Sequence, residues 1–249
     1  MTKPLIQVRG LAIGYDDNAL MRNLSFDIAR RDIFVIMGPS GCGKSTLMRT
    51  MTGLVAPLRG RVIINGSDLF RASADRRADI MKNIGVSFQG GALFSSMTVE
   101  ENIALPLQQH TDFSATDIAA MVDEKLAMVG LENARDLYPS EISGGMKKRA
   151  GLARALALNP EIVFFDEPSA GLDPISSRGL DDLILTINQK LGTTIIIVSH
   201  ELQSIFTIAT SAIYLDTRTH TIGAYGDPRI MRDNPPDDVI GMFLNRGDK

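Results

Sequence analysis

The run Gly38-Pro39-Ser40-Gly41-Cys42-Gly43-Lys44-Ser45 satisfies G-x-x-x-x-G-K-[ST] in full and follows an apolar stretch, Ile33–Met37. Its chemistry is anion binding. Glycines let the backbone curl until several N–H groups converge on a phosphate at the start of a helix. Lys44 adds a point charge for the outer phosphates, and the Ser45 hydroxyl suits a Mg²⁺ shell. Gly38 to Ser45, with Thr46, are therefore the candidate set for a nucleotide's phosphates with Mg²⁺. A second acidic element closes Ile162-Val163-Phe164-Phe165 with Asp166 and Glu167. Carboxylates at the end of a buried parallel strand face the crevice where α/β sheets bind ligands. Asp166 is expected to hold Mg²⁺ through water, and Glu167 to polarise the attacking water as general base. His200 ends another apolar run, Thr194–Val198, and reaches the same crevice.

Some chemistries are excluded. His200-Glu201 does not continue to H-E-x-x-H, because residue 204 is Ser, so a zinc peptidase is ruled out. No G-x-G-x-x-G dinucleotide fingerprint and no Asn-Lys-x-Asp guanine reader occur. The single cysteine, Cys42, leaves no internal disulfide and no Cys-rich zinc site, which suits a reducing cytosol. Two readings of that thiol stay open: inert filler of the loop, or a thiol whose pKa the loop's positive field lowers.

The elements that must position these residues are legible as short apolar runs. Ile33–Met37, Val62–Ile64, Ile84–Phe88, Ile162–Phe165, Thr194–Val198 and Ala212–Leu215 are barely alternated, as in strands buried on both faces. Helices are expected at Lys44–Gly53 and at Ser177–Leu191, the latter closed by Gly192. Such alternation gives a parallel α/β sheet. Leu5–Gly14 and Leu24–Ala29, joined by Asp16-Asp17-Asn18, alternate better and predict a small antiparallel sheet ahead of it. From Gly90 to Asn159 no strand is expected, only helices at Val99–Leu105, Ser114–Val129 and Gly144–Ala157. The expected division is a core with its β subdomain (1–89 and 160–226), a helical insertion (90–159) and a tail (227–249). After Asn234-Pro235-Pro236, the tail's Val239, Ile240, Met242, Phe243 and Leu244 either fold back on the domain or dock on a partner chain.

Composition agrees with a folded enzyme. The chain has 249 residues, 44% hydrophobic and 22% charged, which is ordinary for a globular protein. Lys+Arg 26 against Asp+Glu 29 gives a net charge of −3, so nucleic acid is disfavoured as a partner. No apolar run approaches the ~20 residues of a membrane-crossing helix, and the amino-terminal residues lack a signal peptide's apolar core.

Ser143-Gly144-Gly145-Met146-Lys147-Lys148-Arg149 resembles the signature motif of ABC-type ATPases, usually Leu-Ser-Gly-Gly-Gln, with Ile142 and Met146 standing for Leu and Gln. Around it, in family order, Tyr15 resembles the adenine-stacking aromatic, Gln89 the Q-loop glutamine, Ser169–Asp173 the D-loop and His200 the switch histidine. The resemblance covers roughly residues 5 to 226. It implies a RecA-like phosphate-loop core with an antiparallel β subdomain and a helical insertion. Glu167, His200 and Gln89 are then the catalytic set; Ser45, Gln89 and Asp166 hold the metal. Tyr15, Ser143, Gly144, Gly145 and Asp173 join the phosphate loop around ATP.

One γ-phosphate cannot sit in both cradles of a single chain. Similarity to the family implies a head-to-tail homodimer in which Ser143–Gly145 of one copy cap the ATP held by the other. The Gly-Gly-Met variant, Gln89–Phe94 and Glu167–Ile175 together look like the ATPases of Mla-type systems, which move phospholipid between bacterial membranes. That likeness implies transmembrane permease subunits, an accessory cytoplasmic subunit and an MCE-domain lipid-binding protein as partners. It places the chain on the cytoplasmic face of the inner membrane, peripheral through the permease. Amino-acid and metal-chelate importers share all but the detail, and ribosome- or DNA-directed ABC ATPases remain a further alternative.

Overall fold

Two sheets divide the strands of the computed structural model, which describes residues 3–16 and 18–246. Met1, Thr2, residues 247–249 and Asp17, the middle of the expected first turn, lie outside the described residues. The chain runs through β1 (Ile6–Tyr15), β2 (Asn18–Ile28), β3 (Ile33–Met37), α1 (Lys44–Met51), β4 (Arg59–Ile64) and the two-residue β5 (Ser67–Asp68). Then come α2 (Ala74–Lys82), β6 (Ile84–Ser87), α3 (Val99–His110), α4 (Ala115–Val129) and α5 (Gly144–Ala155). The last part holds β7 (Ile162–Asp166), α6 (Pro174–Leu191), β8 (Thr194–Val198), α7 (Leu202–Ile208), β9 (Ser211–Asp216), β10 (Thr221–Gly226), α8 (Pro228–Asp233) and α9 (Asp238–Leu244).

The larger sheet has the order β10-β9-β3-β8-β7-β6, parallel except for β10. Every residue of β3, β7 and β8 is buried, which is why these runs show no alternation in the sequence. Their side chains still alternate between two cores. Ile33, Val35 and Met37 face a core shared with α5, α6 and α9, whereas Phe34 and Ile36 face α1 and the antiparallel sheet. Each such fully buried side chain contributes about 1.5–3 kcal/mol. The sheet is therefore a fixed platform, and the loops at its carboxyl edge carry the chemistry.

The smaller sheet, β2-β1-β4-β5, is antiparallel. It corrects one expectation. Val62–Ile64 belongs here, paired with β1 (Val8 with Val62, Ile6 with Ile64), and not to the parallel sheet. Val62 and Ile64 are buried while Ile63 is half-exposed, so the strand has one covered face, a pattern too short to read from three apolar residues.

The helical insertion comprises α3, α4 and α5. Capping boxes at Thr98 and Ser114 start the first two, and Gly130 in the left-handed region ends α4. Helix α3 runs past the expected stop at Leu105 to His110, with Pro106 inside it. The tail folds back on its own domain. Ile240, Phe243 and Leu244 of α9 are buried, and the Phe243 ring meets Tyr214 edge-on at 5.0 Å. Asp237 caps α9 and pairs with Arg218 at 2.6 Å. No helix among the described residues is long and apolar enough to cross a membrane.

Candidate functional site

The phosphate loop leaves β3 and turns into α1 through three glycines at positive φ: Gly38 (149°), Gly41 (77°) and Gly43 (100°). At Gly38 a Cβ would lie 2.8 Å from the Leu215 carbonyl oxygen, so a side chain cannot be accommodated there. Gly43 precedes α1 with no side-chain cap, and no acidic residue sits in the first turn. The helix therefore begins with N–H groups and a positive dipole end turned to the loop, as an anion requires. Lys44 is buried, its Nζ donating to the carbonyls of Gly38 (2.9 Å) and Pro39 (3.0 Å). Cys42 is buried behind the loop. Burial raises its thiol pKa and outweighs the opposing pull of Lys44, so the inert reading of this cysteine holds.

Strand β7 delivers both carboxylates to this loop. Ser45 Oγ donates to Asp166 Oδ1 at 3.0 Å, which sets a hydroxyl and a buried carboxylate side by side. Two hard oxygen donors of this kind suit Mg²⁺, which commonly takes one or two protein ligands and completes its shell with water and substrate phosphates. Glu167 stands one residue on, at φ 51°. A non-glycine residue in the left-handed region costs roughly 1–3 kcal/mol unless its surroundings impose it. Two contacts do so: Glu167 N donates to Val198 O at 2.9 Å, and His200 Nδ1 donates to Glu167 Oε1 at 2.8 Å. The other oxygen, Oε2, is buried and has no hydrogen-bond partner among the described residues. Such an acceptor fits a water or a substrate group as its missing partner.

His200 follows β8, with its side chain 43% exposed. Its second nitrogen, Nε2, lies 3.7 Å from Glu201, so the imidazole stands between two carboxylates. Tyr15 ends β1 with a half-exposed ring, and its hydroxyl is 3.4 Å from Thr46 Oγ1, a contact that lowers its pKa. The ring is thereby fixed beside the start of α1 with its face open.

Gln89 is exposed just beyond β6. After it, Gly90, Gly91 and Ala92 all adopt positive φ (81°, 82° and 46°). The segment is nonetheless held. Buried Asn102 accepts from Phe94 N (2.8 Å) and donates to Phe94 O (3.1 Å), and Arg154 donates to Gly91 O at 3.1 Å. The Phe94 ring is exposed, with the Arg154 guanidinium 5.7 Å from its centroid. A groove of about 470 Å³ lies between α2, β6, α3 and α5, lined by Met81, Ile84, Pro106 and Leu158 among others, and Arg154 connects it to this segment.

Ser143 caps α5, accepting from Met146 N at 3.2 Å, and no acidic residue occupies that helix's first turn. A Cβ at Gly144 would meet nothing within 4 Å, so the start of α5 is open. Asp173 stands at the start of α6. Its carboxylate caps α6, accepting from Ile175 N, Ser176 N (3.0 Å each) and Ser176 Oγ (2.5 Å). These bonds, the Ser176 hydroxyl first, hold its pKa below the usual range. In this chain the carboxylate is thus occupied in capping α6. Sequence reasoning missed Asn102, Arg154 and Lys148; the last donates from α5 to the carbonyl of Ala170. Burial lowers the pKa of Lys148, and the charge of Glu167 opposes that fall.

A family profile described as ABC transporter matches residues 21–170. The chain is 40% identical over 240 residues to the probable ribonucleotide transport ATP-binding protein mkl of Mycobacterium leprae, covering 96% of this chain and 68% of that protein. It is 39% identical over 241 residues to the intermembrane phospholipid transport system ATP-binding protein MlaF of Escherichia coli K12, covering 97% of this chain and 88% of that protein. Among solved structures, a dimeric ATP-binding cassette in a post-hydrolysis state with ADP and Pi superposes with a TM-score of 0.81 at 27% identity, over 89% of this chain and 98% of that one.

Proposed function

The chain belongs to the ABC transporter family, and on that premise we propose that it is the ATPase that drives phospholipid movement between bacterial membranes. It is an ATPase of a membrane transporter; the cargo, the site roles and the assembly are the proposal. One observation carries the chemistry: Ser45–Asp166 and Glu167–His200 meet at the carboxyl ends of β7 and β8, beside the uncapped start of α1.

In this reading the glycines and the N-terminus of α1 bind the phosphates, and Lys44 exchanges its two loop carbonyls for the outer phosphates. Tyr15 stacks on the adenine. Ser45, Asp166 and Gln89 hold Mg²⁺, which when bound neutralises charge on the outer phosphates. Glu167 takes a proton from water at its unpartnered Oε2, while His200 fixes Oε1 and so sets the angle of the carboxylate. Gly144 and Gly145 at the start of α5 close over the ATP of a second copy in a head-to-tail dimer, an arrangement supported by the similar dimeric cassette. The groove between α2, β6, α3 and α5, with the exposed Phe94 on the far side of Arg154, takes a helix of the permease, which keeps the chain peripheral on the cytoplasmic side of the membrane. The division into core (1–89, 160–226), helical insertion (90–159) and tail (227–249) follows this use of the elements.

The phospholipid cargo rests on the likeness to MlaF across nearly the whole of both chains. The mycobacterial relative, named for ribonucleotide transport, is longer, and this chain spans about two thirds of it. The test is to purify the chain with its native membrane partners, reconstitute the complex, and follow labelled phospholipid and labelled nucleotide. ATP-dependent lipid movement that Glu167→Gln abolishes supports the reading. Nucleotide movement with no lipid movement overturns the cargo.

A further inference from the structure

Helix α5 carries Ser143–Gly145 at its start and Lys148 one turn later, and the two ends of that turn serve different places. Gly144 opens outward, whereas the half-buried Lys148 reaches inward to donate to Ala170 O. Ala170 belongs to the tight turn that follows Glu167. Its own N–H donates to Glu167 O at 3.3 Å, and Leu172 N donates to Ser169 O at 3.1 Å. Lys148 and Glu167 also line one small cavity, together with Phe88 and Leu152. One turn further on, α5 also grips the Gln89 segment, where Gly151 lies against the Gly91 backbone and Arg154 donates to Gly91 O. One helix therefore holds both loops that flank the carboxylate.

An ammonium drawn out of water toward a carbonyl and a carboxylate is costly unless the contact does something that a neutral side chain cannot. Nothing else among the described residues donates a side-chain hydrogen bond to Ala170 O. The turn it secures starts at Glu167 itself, whose carbonyl accepts from Ala170 N. We propose that Lys148 is a positioning residue for ATP hydrolysis: by holding the Ala170 carbonyl it fixes the turn that aims Glu167, and it does so from the helix whose first turn faces the second copy. The proposal rests on the reading of Glu167 as general base. It acts through the turn and not through substrate, so its signature is in turnover and not in ATP affinity.

The test compares Lys148→Met, Lys148→Arg and Glu167→Gln in the full chain within its transporter complex, measuring kcat, KM for ATP and nucleotide affinity. Misplacing a catalytic group by about 1 Å costs on the order of 10²-fold. Lys148→Met is therefore expected to lower kcat by roughly 10- to 10²-fold with KM within about twofold, a loss confined to the transition state. Lys148→Arg, which keeps a donor and a charge, is expected to restore kcat to within about threefold of wild type. Backbone amide exchange at residues 170–172 is expected to quicken in the Met variant only. Wild-type kcat in Lys148→Met overturns the proposal; so does a loss shared equally by ATP affinity and thermal stability that Arg fails to rescue. If Glu167→Gln still turns over, the general-base reading falls. If Glu167→Gln is inactive while Lys148→Met behaves as wild type, only the positioning role falls.

Discussion

Gly151→Ala sets two effects of opposite sign against each other. In the interior of a helix Ala is favoured over Gly by about 0.5–1 kcal/mol. On α5, however, the new Cβ would lie 2.7 Å from Gly91 Cα and 2.8 Å from Gly91 O. Neither atom belongs to a flexible side chain, and the segment is already constrained by three successive positive φ values. Overpacking of this kind costs about 1–3 kcal/mol. The clash wins at mid-range, with a net loss of about 1 kcal/mol within limits of about 0–2.5, or about 2–4 °C in melting temperature for a chain of this size. Because the Gly91 backbone must retreat, Gln89 moves with it and ATPase activity falls. Gly179, inside α6, is the control: its Cβ would meet only the terminal Nη2 of Arg149, at 3.1 Å, and that side chain can give way. Gly179→Ala should raise the midpoint by about 1–4 °C. Scanning calorimetry on both variants without nucleotide, with turnover measured alongside, decides the matter. If Gly151→Ala gains stability in step with Gly179→Ala and hydrolyses ATP normally, the backbone contact between α5 and the Gln89 segment is wrong.

Three further perturbations probe other parts. Glu167→Gln keeps the size of the side chain and an acceptor for His200 but takes no proton, so kcat should drop by about 10² or more while ATP still binds. Size measurement should then find a nucleotide-held dimer, and a monomer that still hydrolyses ATP contradicts the assignment. Asp181 is buried, bonded by Ser204 Oγ at 2.7 Å, and burial raises its pKa. A raised folded-state pKa gives stability that is full below the unfolded value and lost as pH rises through the folded one. Asp181→Asn, which still accepts from Ser204, should therefore gain on wild type as pH climbs from acid toward neutral; parallel urea midpoints across that range would sink the argument. Phe94→Asp should leave nucleotide affinity unchanged and abolish stimulation of ATPase by the permease, and undiminished stimulation would remove this segment from the interface.

Much of the nucleotide site was legible because its chemistry is local: the phosphate loop is eight consecutive residues, and Asp166 and Glu167 close one uninterrupted apolar strand. What escaped was either polar or distant. Helix α2 has only Ile80 buried among nine residues, so no apolar stripe announces it. Strand β10, Thr-Ile-Gly-Ala-Tyr-Gly, lies at the sheet's edge with two glycines and little periodicity. The bond from Lys148 to Ala170 joins residues 22 apart through a turn whose shape the sequence does not specify. The capping role of Asp173 was not read because a capping aspartate and a ligand aspartate look alike until the helix it caps is in view. The tail, with both readings open, is settled by a pocket for Phe243 against Tyr214, which no feature of residues 235–249 reveals.

The single cysteine has a practical corollary. Cys42 sits in the phosphate loop, yet its thiol is enclosed and its pKa is raised by burial. Alkylation of Cys42 in the folded chain is therefore expected to be slow beside that of an exposed thiol. A cysteine introduced at Ile175, 80% exposed at the start of α6, would be the one thiol a maleimide finds. Each copy would then carry a single dye with Cys42 left in place, and separation of the two copies during turnover becomes readable as a change in energy transfer.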